Sequence, residues 1–176
     1  MNTAPLKNFA QDARRRLMAQ VMGRVEAALM MDGAAAAENA KAIGELRATI
    51  ADTSKAAVIE RVAYIWFNRF CALRFMEVNG YAMVRAVSPA EGATQPEILA
   101  EAKRGIISTD LLTAAQHKRV NDLLTGKLPS PDGQGEAYRM LLVGVCNYYH
   151  KIMPYLFEKI EDYTELLLPL DLLSED

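Results

Sequence analysis

Residues 55–79 read KAAVIERVAYIWFNRFCALRFMEVN and run into Gly80. At about 100° per residue, apolar side chains fall on nearly every side of a helix here. The polar positions Glu60, Asn68, Arg69, Arg74 and Glu77 share no single stripe. This pattern predicts a long, central, buried helix. Asp52, Thr53 and Ser54 offer caps at its start, and Gly80 is a suitable residue just past its end. Some of its charges must be enclosed and paired, or reach out through the surface. With Arg61 they are also too many for a membrane span.

Outward from this helix the pattern stays helical. Alanine is abundant, valine and isoleucine are sparse, and no segment alternates apolar and polar residues with period two. Leu6, Phe9, Ala13, Leu17, Val21, Val25 and Ala28 form one amphipathic stripe on a helix ending near Asp32 and Gly33. A weaker helix carries Ile43, Leu46 and Ile50. Residues 88–95 form a loop with Pro89, Gly92 and then Pro96. Thr94 to Glu97 and Thr113 to Gln116 each have capping-box spacing, ahead of helices ending near Gly105 and Gly126. A second loop spans residues 129–135. A helix at 136–153 follows, with Tyr138, Leu141, Leu142, Val145, Tyr149 and Ile152 on its inner face. Pro154 breaks it and opens a last helix at 155–168. The expected fold is all-α: an irregular multi-helix domain, single over residues 1–176, around the helix at about 55–79.

The chain has 176 residues, 51% of them hydrophobic and 24% charged, with a net charge of −2. That composition fits one globular domain and excludes disorder or a disulfide scaffold. It also excludes a strongly basic chain that holds nucleic acid by charge alone. The charge is uneven, at +4 over residues 1–153 and −6 over residues 154–176. The acidic end reads either as a shield beside a basic nucleic-acid face or as an ordinary solvated terminus. Cys71 and Cys146 sit in apolar runs and read as buried free thiols in a reducing compartment. No secretory signal is present at the N-terminus, so the expected location is cytoplasmic.

Catalytic motifs are missing. There is no glycine loop for a dinucleotide or phosphate, no G-x-S-x-G and no H-E-x-x-H. Pro131-Asp132 and Glu101-Ala-Lys103 supply the letters of a Mg²⁺ nuclease site in reversed order, with Glu101 and Lys103 pointing apart. Cys71, His117, Cys146 and His150 lack the close spacing of a zinc site. The basic groups carry more. Arg14, Arg15 and Arg16 span nearly a helical turn, and Lys118, Arg119, Arg139 and Lys151 add to them. Such groups contact phosphates without reading sequence, or simply stay solvated. Tyr64, Trp66, Phe67, Phe70, Phe75, Tyr148 and Tyr149 have helical spacing and read as core. Arg61, Asn68, Arg69 and Arg74 read as structural ties of the central helix.

Residues 59–81, IERVAYIWFNRFCALRFMEVNGY, resemble the N-terminal region of the PglX family, adenine-specific DNA methyltransferases of BREX phage-defence systems. The stretches TQPEILAEAKRG at 94–105 and CNYYHKIMPYLFEKIEDYTELLLP at 146–169 resemble it too, and the resemblance reaches from KNFAQDARRRL at 7–17 to Asp176. It implies a much longer parent enzyme that transfers methyl from S-adenosylmethionine to N6 of adenine in double-stranded DNA. The family's cofactor loop and its Asn-Pro-Pro-Tyr type motif lie downstream of the matched region, and this chain contains no Asn-Pro-Pro. The expectation is an N-terminal piece stopped before the catalytic domain, with no catalytic, cofactor-binding or metal residue of its own.

Its role would be to brace the catalytic domain and help clamp DNA. Arg14, Arg15 and Arg16 are the first candidates for phosphate contact, and Lys118, Arg119 and Lys151 the second. The rival reading is a module that docks other BREX subunits or a phage inhibitor without touching DNA; a third is a free-standing helical protein. Leu166, Leu167, Leu168, Leu170, Leu172 and Leu173 crowd the last eleven residues. They read equally as packing on a following domain or as folding back onto this one.

Overall fold

Glycine and proline punctuate the chain into eight helices among the described residues, which are 4–158 and 162–173 of the computed structural model. They are α1 (Ala4–Leu29), α2 (Gly33–Glu38), α3 (Ala40–Asp52), α4 (Lys55–Val78), α5 (Glu97–Lys103), α6 (Ala114–Leu124), α7 (Gly133–Ile152) and α8 (Asp162–Leu166). An isolated bridge between Pro89 and Pro96 is the sole β-type pairing among these residues. The chain is all-α. Its residues group into two compact units, 1–68 with 161–169 and 69–160 with 170–176, so α4 contributes to both.

In the first unit the apolar stripe of α1 is buried at Val21, Val25 and Ala28, beside Ala42, Ile43 and Leu46 of α3 and Val58, Val62 and Trp66 of α4. Two ion pairs tie α1 to α4: Arg14 to Glu60, and Glu26 to Lys55 at 3.0 Å. Residues 162–169 return to this unit. Leu167 and Leu168 are buried, the Trp66 indole N–H donates to the Thr164 carbonyl at 3.1 Å, and Arg24 Nη2 donates to the Leu166 carbonyl at 2.7 Å. These donors occupy carbonyls that a short helix leaves open at its end. Leu167 and Leu168 of the leucine-rich segment are therefore buried within this unit, while Leu170 is exposed.

The second unit is built on α6 and α7. Arg119 and Glu136 meet at 3.3 Å across the loop at 125–132, and α7 buries Tyr138, Leu141, Leu142, Val145, Cys146 and Tyr149. The Thr113–Gln116 capping box forms as its spacing predicts, with the Thr113 hydroxyl accepting from the Gln116 amide and Gln116 Oε1 accepting from the Thr113 amide. The end of α4 is also as read. Gly80 takes φ +71°, its N–H bonds to the Glu77 carbonyl, and the Tyr81 N–H reaches back to Met76 at 2.8 Å. That is a Schellman motif, and the left-handed residue it needs is glycine.

Several local expectations are corrected. Helix α1 buries only its last turns; Leu6 and Phe9 are exposed, because this stretch extends past the residues that cover Val21 and Val25. The Thr94–Glu97 box does not form. Pro96 is the N-cap of α5, and the Glu97 carboxylate instead accepts from the Arg85 backbone amide at 3.1 Å, a tertiary partner outcompeting the local one. Helix α7 begins three residues earlier than expected because the Asp132 side chain caps it, accepting from the Gly135 amide at 2.9 Å. Ile152 on its last turn is exposed. The expected helix at 155–168 is a turn at 154–156 and the five-residue α8; residues 159–161 lie outside the described residues.

The central helix is buried on one side of its length and open on the other. Tyr64, Cys71, Arg74, Phe75 and Val78 are exposed, so Cys71 is not the buried thiol its apolar neighbours suggest. The two charges enclosed are Arg69 and Glu77. Arg69 Nη2 donates to the Glu158 carbonyl at 2.8 Å. Glu77 Oε1 accepts from the Val87 amide at 2.8 Å, so both satisfy backbone groups of segments with no helix of their own. Arg74 donates to the Ser88 hydroxyl at 2.6 Å, while Arg61 lies exposed.

Candidate functional site

The six candidate phosphate-binding cations fall in two sets. Arg14, Arg15 and Arg16 lie on α1 in the first unit; Lys118 and Arg119 on α6, with Lys151 on α7, lie in the second. All six are exposed. Four of them already face a carboxylate: Arg14 pairs with Glu60, Arg15 with Asp12 at 3.3 Å, Lys118 with Asp122 at 2.5 Å and Arg119 with Glu136 at 3.3 Å. Among the described residues no carboxylate pairs with Arg16 or Lys151. Exposed pairs of this kind are worth about 0–1 kcal/mol each, so a phosphate can displace them at small cost. Arg139 is different. It is largely enclosed, between the Leu170 carbonyl at 3.0 Å and Asp132 at 3.5 Å, and belongs to the framework.

The residues weighed as chemistry are committed to structure. Asp132 caps α7, and Lys103 donates to Gln95 and Gln134 at 2.6 and 2.8 Å. His150 Nδ1 lies 2.7 Å from the Phe157 carbonyl, and His117 Nδ1 lies 3.3 Å from the Asn121 amide nitrogen. Among the described residues no three metal-ligating side chains come together. Burial pushes the Cys146 thiol up to about 12, against a weaker opposite pull from Arg69. A thiol held protonated is no nucleophile at neutral pH. Burial likewise raises the Tyr138 hydroxyl, which donates to the Ala86 carbonyl at 2.9 Å.

One feature escaped the sequence reading. Cys71, then Arg74 with Phe75, then Val78 recur at three- to four-residue steps along one exposed side of α4, and Tyr81 and Met83 just beyond are exposed too. Arg74 was the available signal, since a long cation in an apolar run often marks the wet side of a helix. Next to Met83 the surface has a recess of about 220 Å³, lined by apolar side chains with Glu101 and Ser108.

Against this geometry, similarity to known proteins adds what the side chains do not declare. The adenine-specific methyltransferase BrxX of Escherichia coli O9:H4 (strain HS) is 39% identical over 122 residues, which is 68% of this chain and 10% of that protein. The chain is a BrxX/PglX-like region. The adenine-specific methyltransferase PglX of Lacticaseibacillus casei (strain Zhang) is 38% identical over 114 residues, 62% of this chain and 9% of that protein. No family model matches. This BrxX/PglX-like region spans about a tenth of the length of the curated relatives it matches.

A methyltransferase of this kind implies S-adenosylmethionine, and the described residues do not fit it. A nucleotide-like cofactor is usually held where a strand passes through a glycine turn into a helix. Here the left-handed glycines Gly33, Gly80, Gly92, Gly105 and Gly126 lie at helix ends and in loops, and none lies between a strand and a helix. The recess beside Met83 offers two polar side chains, Glu101 and Ser108, too few for a ligand carrying an adenine, a ribose and an amino acid. Within the described residues, no helix is long and apolar enough to cross a membrane.

Proposed function

We propose that this chain is the helical N-terminal domain, a single domain over residues 1–176, of a DNA adenine-N6 methyltransferase in BREX phage defence. It braces the catalytic domain and lends cations to the backbone of double-stranded DNA. The parent protein works in the cytoplasm. Its catalytic domain, outside this chain, flips the adenine from the stack and moves methyl from S-adenosylmethionine. The observation that carries the reading is the 39% identity with BrxX over 122 residues. The exposed cations support the DNA part: Arg14, Arg15 and Arg16 first, then Lys118, Arg119 and Lys151. Exposed arginine and lysine gain affinity for duplex DNA by releasing its counterions, without reading bases.

Binding of the chain to a short duplex of arbitrary sequence, at low and at moderate salt, tests the DNA role. The expected result is an affinity that falls steeply with salt, and a shallower slope for the Arg14/Arg15/Arg16→Ala variant. No binding at low salt removes the DNA contact and leaves bracing, or docking of other BREX subunits, as the function. The apolar stripe at Phe75 and Val78 favours such a protein-facing role for the second unit.

A further inference from the structure

We propose that the apolar surface formed by Phe75, Val78, Tyr81, Met83 and Ile106 is the seat of the methyltransferase part of the same polypeptide, which drops an apolar side chain into the recess beside Met83. This rests on the reading above that the chain is one part of a longer methyltransferase.

Four of the five residues follow one another closely along the chain, and Ile106 joins them at the recess. Phe75 and Val78 are one helical turn apart on α4, and the Schellman turn at Gly80 folds Tyr81 back so that its ring centroid lies 6.4 Å from that of Phe75. Two residues on, the Met83 amide donates to the Tyr149 hydroxyl at 3.4 Å, and Met83 lines the recess. Ile98, Ile106, Leu111 and Leu141 form much of its wall. Phe75, Val78, Tyr81, Met83 and Ile106 are each more than half exposed, at 53–67%. Single exposed apolar residues are ordinary, but two aromatics, a methionine and two aliphatic residues exposed in one compact unit, with Met83 and Ile106 lining a recess, are not. Exposed aromatic and methionine side chains are enriched at the centres of interfaces.

The occupant follows from length. BrxX and PglX match this chain over about a tenth of their own residues, so on the order of a thousand residues of each lie outside the match. A chain segment tethered to this unit acts at high effective concentration and covers such a surface without needing high intrinsic affinity.

Thiol labelling tests the surface. In a Cys71→Ser background, the Met83→Cys and Ile106→Cys thiols are labelled in the isolated chain and in the full-length protein, with Lys127→Cys as an exposed control. Adenine methylation in cells carrying the same full-length gene is read in parallel. The expected result is labelling at least tenfold slower in the full-length protein at both surface positions and unchanged at the control. If adenine is methylated but the surface thiols react equally fast in both forms, the docking surface is overturned and the methyltransferase reading stands. If adenine methylation does not depend on the gene, that reading fails and the proposal with it. Sedimentation of the isolated chain covers the remaining case. Dimers whose surface thiols are already slow would make a second copy the occupant, which also overturns the proposal.

Discussion

Replacing Gly144 with alanine separates helix propensity from packing. Gly144 lies inside α7, where glycine costs roughly 1 kcal/mol relative to alanine. On propensity alone, Gly144→Ala stabilises the chain. The structure gives the opposite sign. A Cβ on Gly144 would lie 2.7 Å from the Leu111 carbonyl oxygen and 2.9 Å from Leu112 Cδ2. The leucine methyl can rotate away, but the carbonyl belongs to the segment that leads into the Thr113 cap and must move as backbone. Such overpacking costs about 1–3 kcal/mol, so a net loss of about 1 kcal/mol remains after the propensity gain. Gly23 in α1 and Gly44 in α3 are the controls, since a Cβ at either meets nothing within 4 Å. Urea unfolding followed by circular dichroism should show a lower midpoint for Gly144→Ala and higher midpoints for Gly23→Ala and Gly44→Ala, with the slope unchanged. If Gly144→Ala raises the midpoint as much as Gly44→Ala does, the close approach of residues 111–112 to α7 is wrong.

Thr113→Ala removes a formed capping box and should cost about 1 kcal/mol, whereas Thr94→Ala, at a box that never forms, should leave the urea midpoint within error. Stability should also fall at high pH. The Cys146 thiol keeps its proton to about 12 when folded but loses it near 9 when unfolded, so the unfolded state binds fewer protons in between. Its contribution is fully present below about pH 9 and is lost toward pH 12, on the order of 1 kcal/mol per pH unit. The Tyr138 and Tyr149 hydroxyls, also raised by burial, act in the same direction. Urea midpoints of the chain and of Cys146→Ala, measured from pH 8 upward, should converge as pH rises. Parallel curves would place Cys146 in contact with water.

The sequence made the helices legible because their signals are local. Gly80, the Thr113 box and the run at 55–78 depend on residues within one or two turns of each other. What stayed hidden depends on contacts distant in sequence. Glu97 leaves its local cap because the Arg85 amide is nearby in space. Leu167 and Leu168 return to the first unit, where Trp66 and Arg24 hold the carbonyls of α8. Helix α4 reads as apolar all round because both of its surfaces are apolar. Arg61 and Arg74 mark the exposed side, but Tyr64, Cys71, Phe75 and Val78 share it, and composition does not record what packs against the other.

The candidate cations show the same division. Lys118 with Asp122 and Arg15 with Asp12 are helical neighbours whose pairing follows from spacing. The partners of Arg14 and Arg119 are 46 and 17 residues away and needed the fold. For the proposed DNA contact, these carboxylates alter what a salt titration measures. A cation already facing a carboxylate exchanges one partner for another when a phosphate arrives, and it releases fewer ions overall. Arg16 and Lys151 face no carboxylate among the described residues, so on contact each should contribute close to a full unit to the salt slope. The slope lost in a single-residue series should therefore be larger at Arg16 than at Arg14, although the two lie on the same helix.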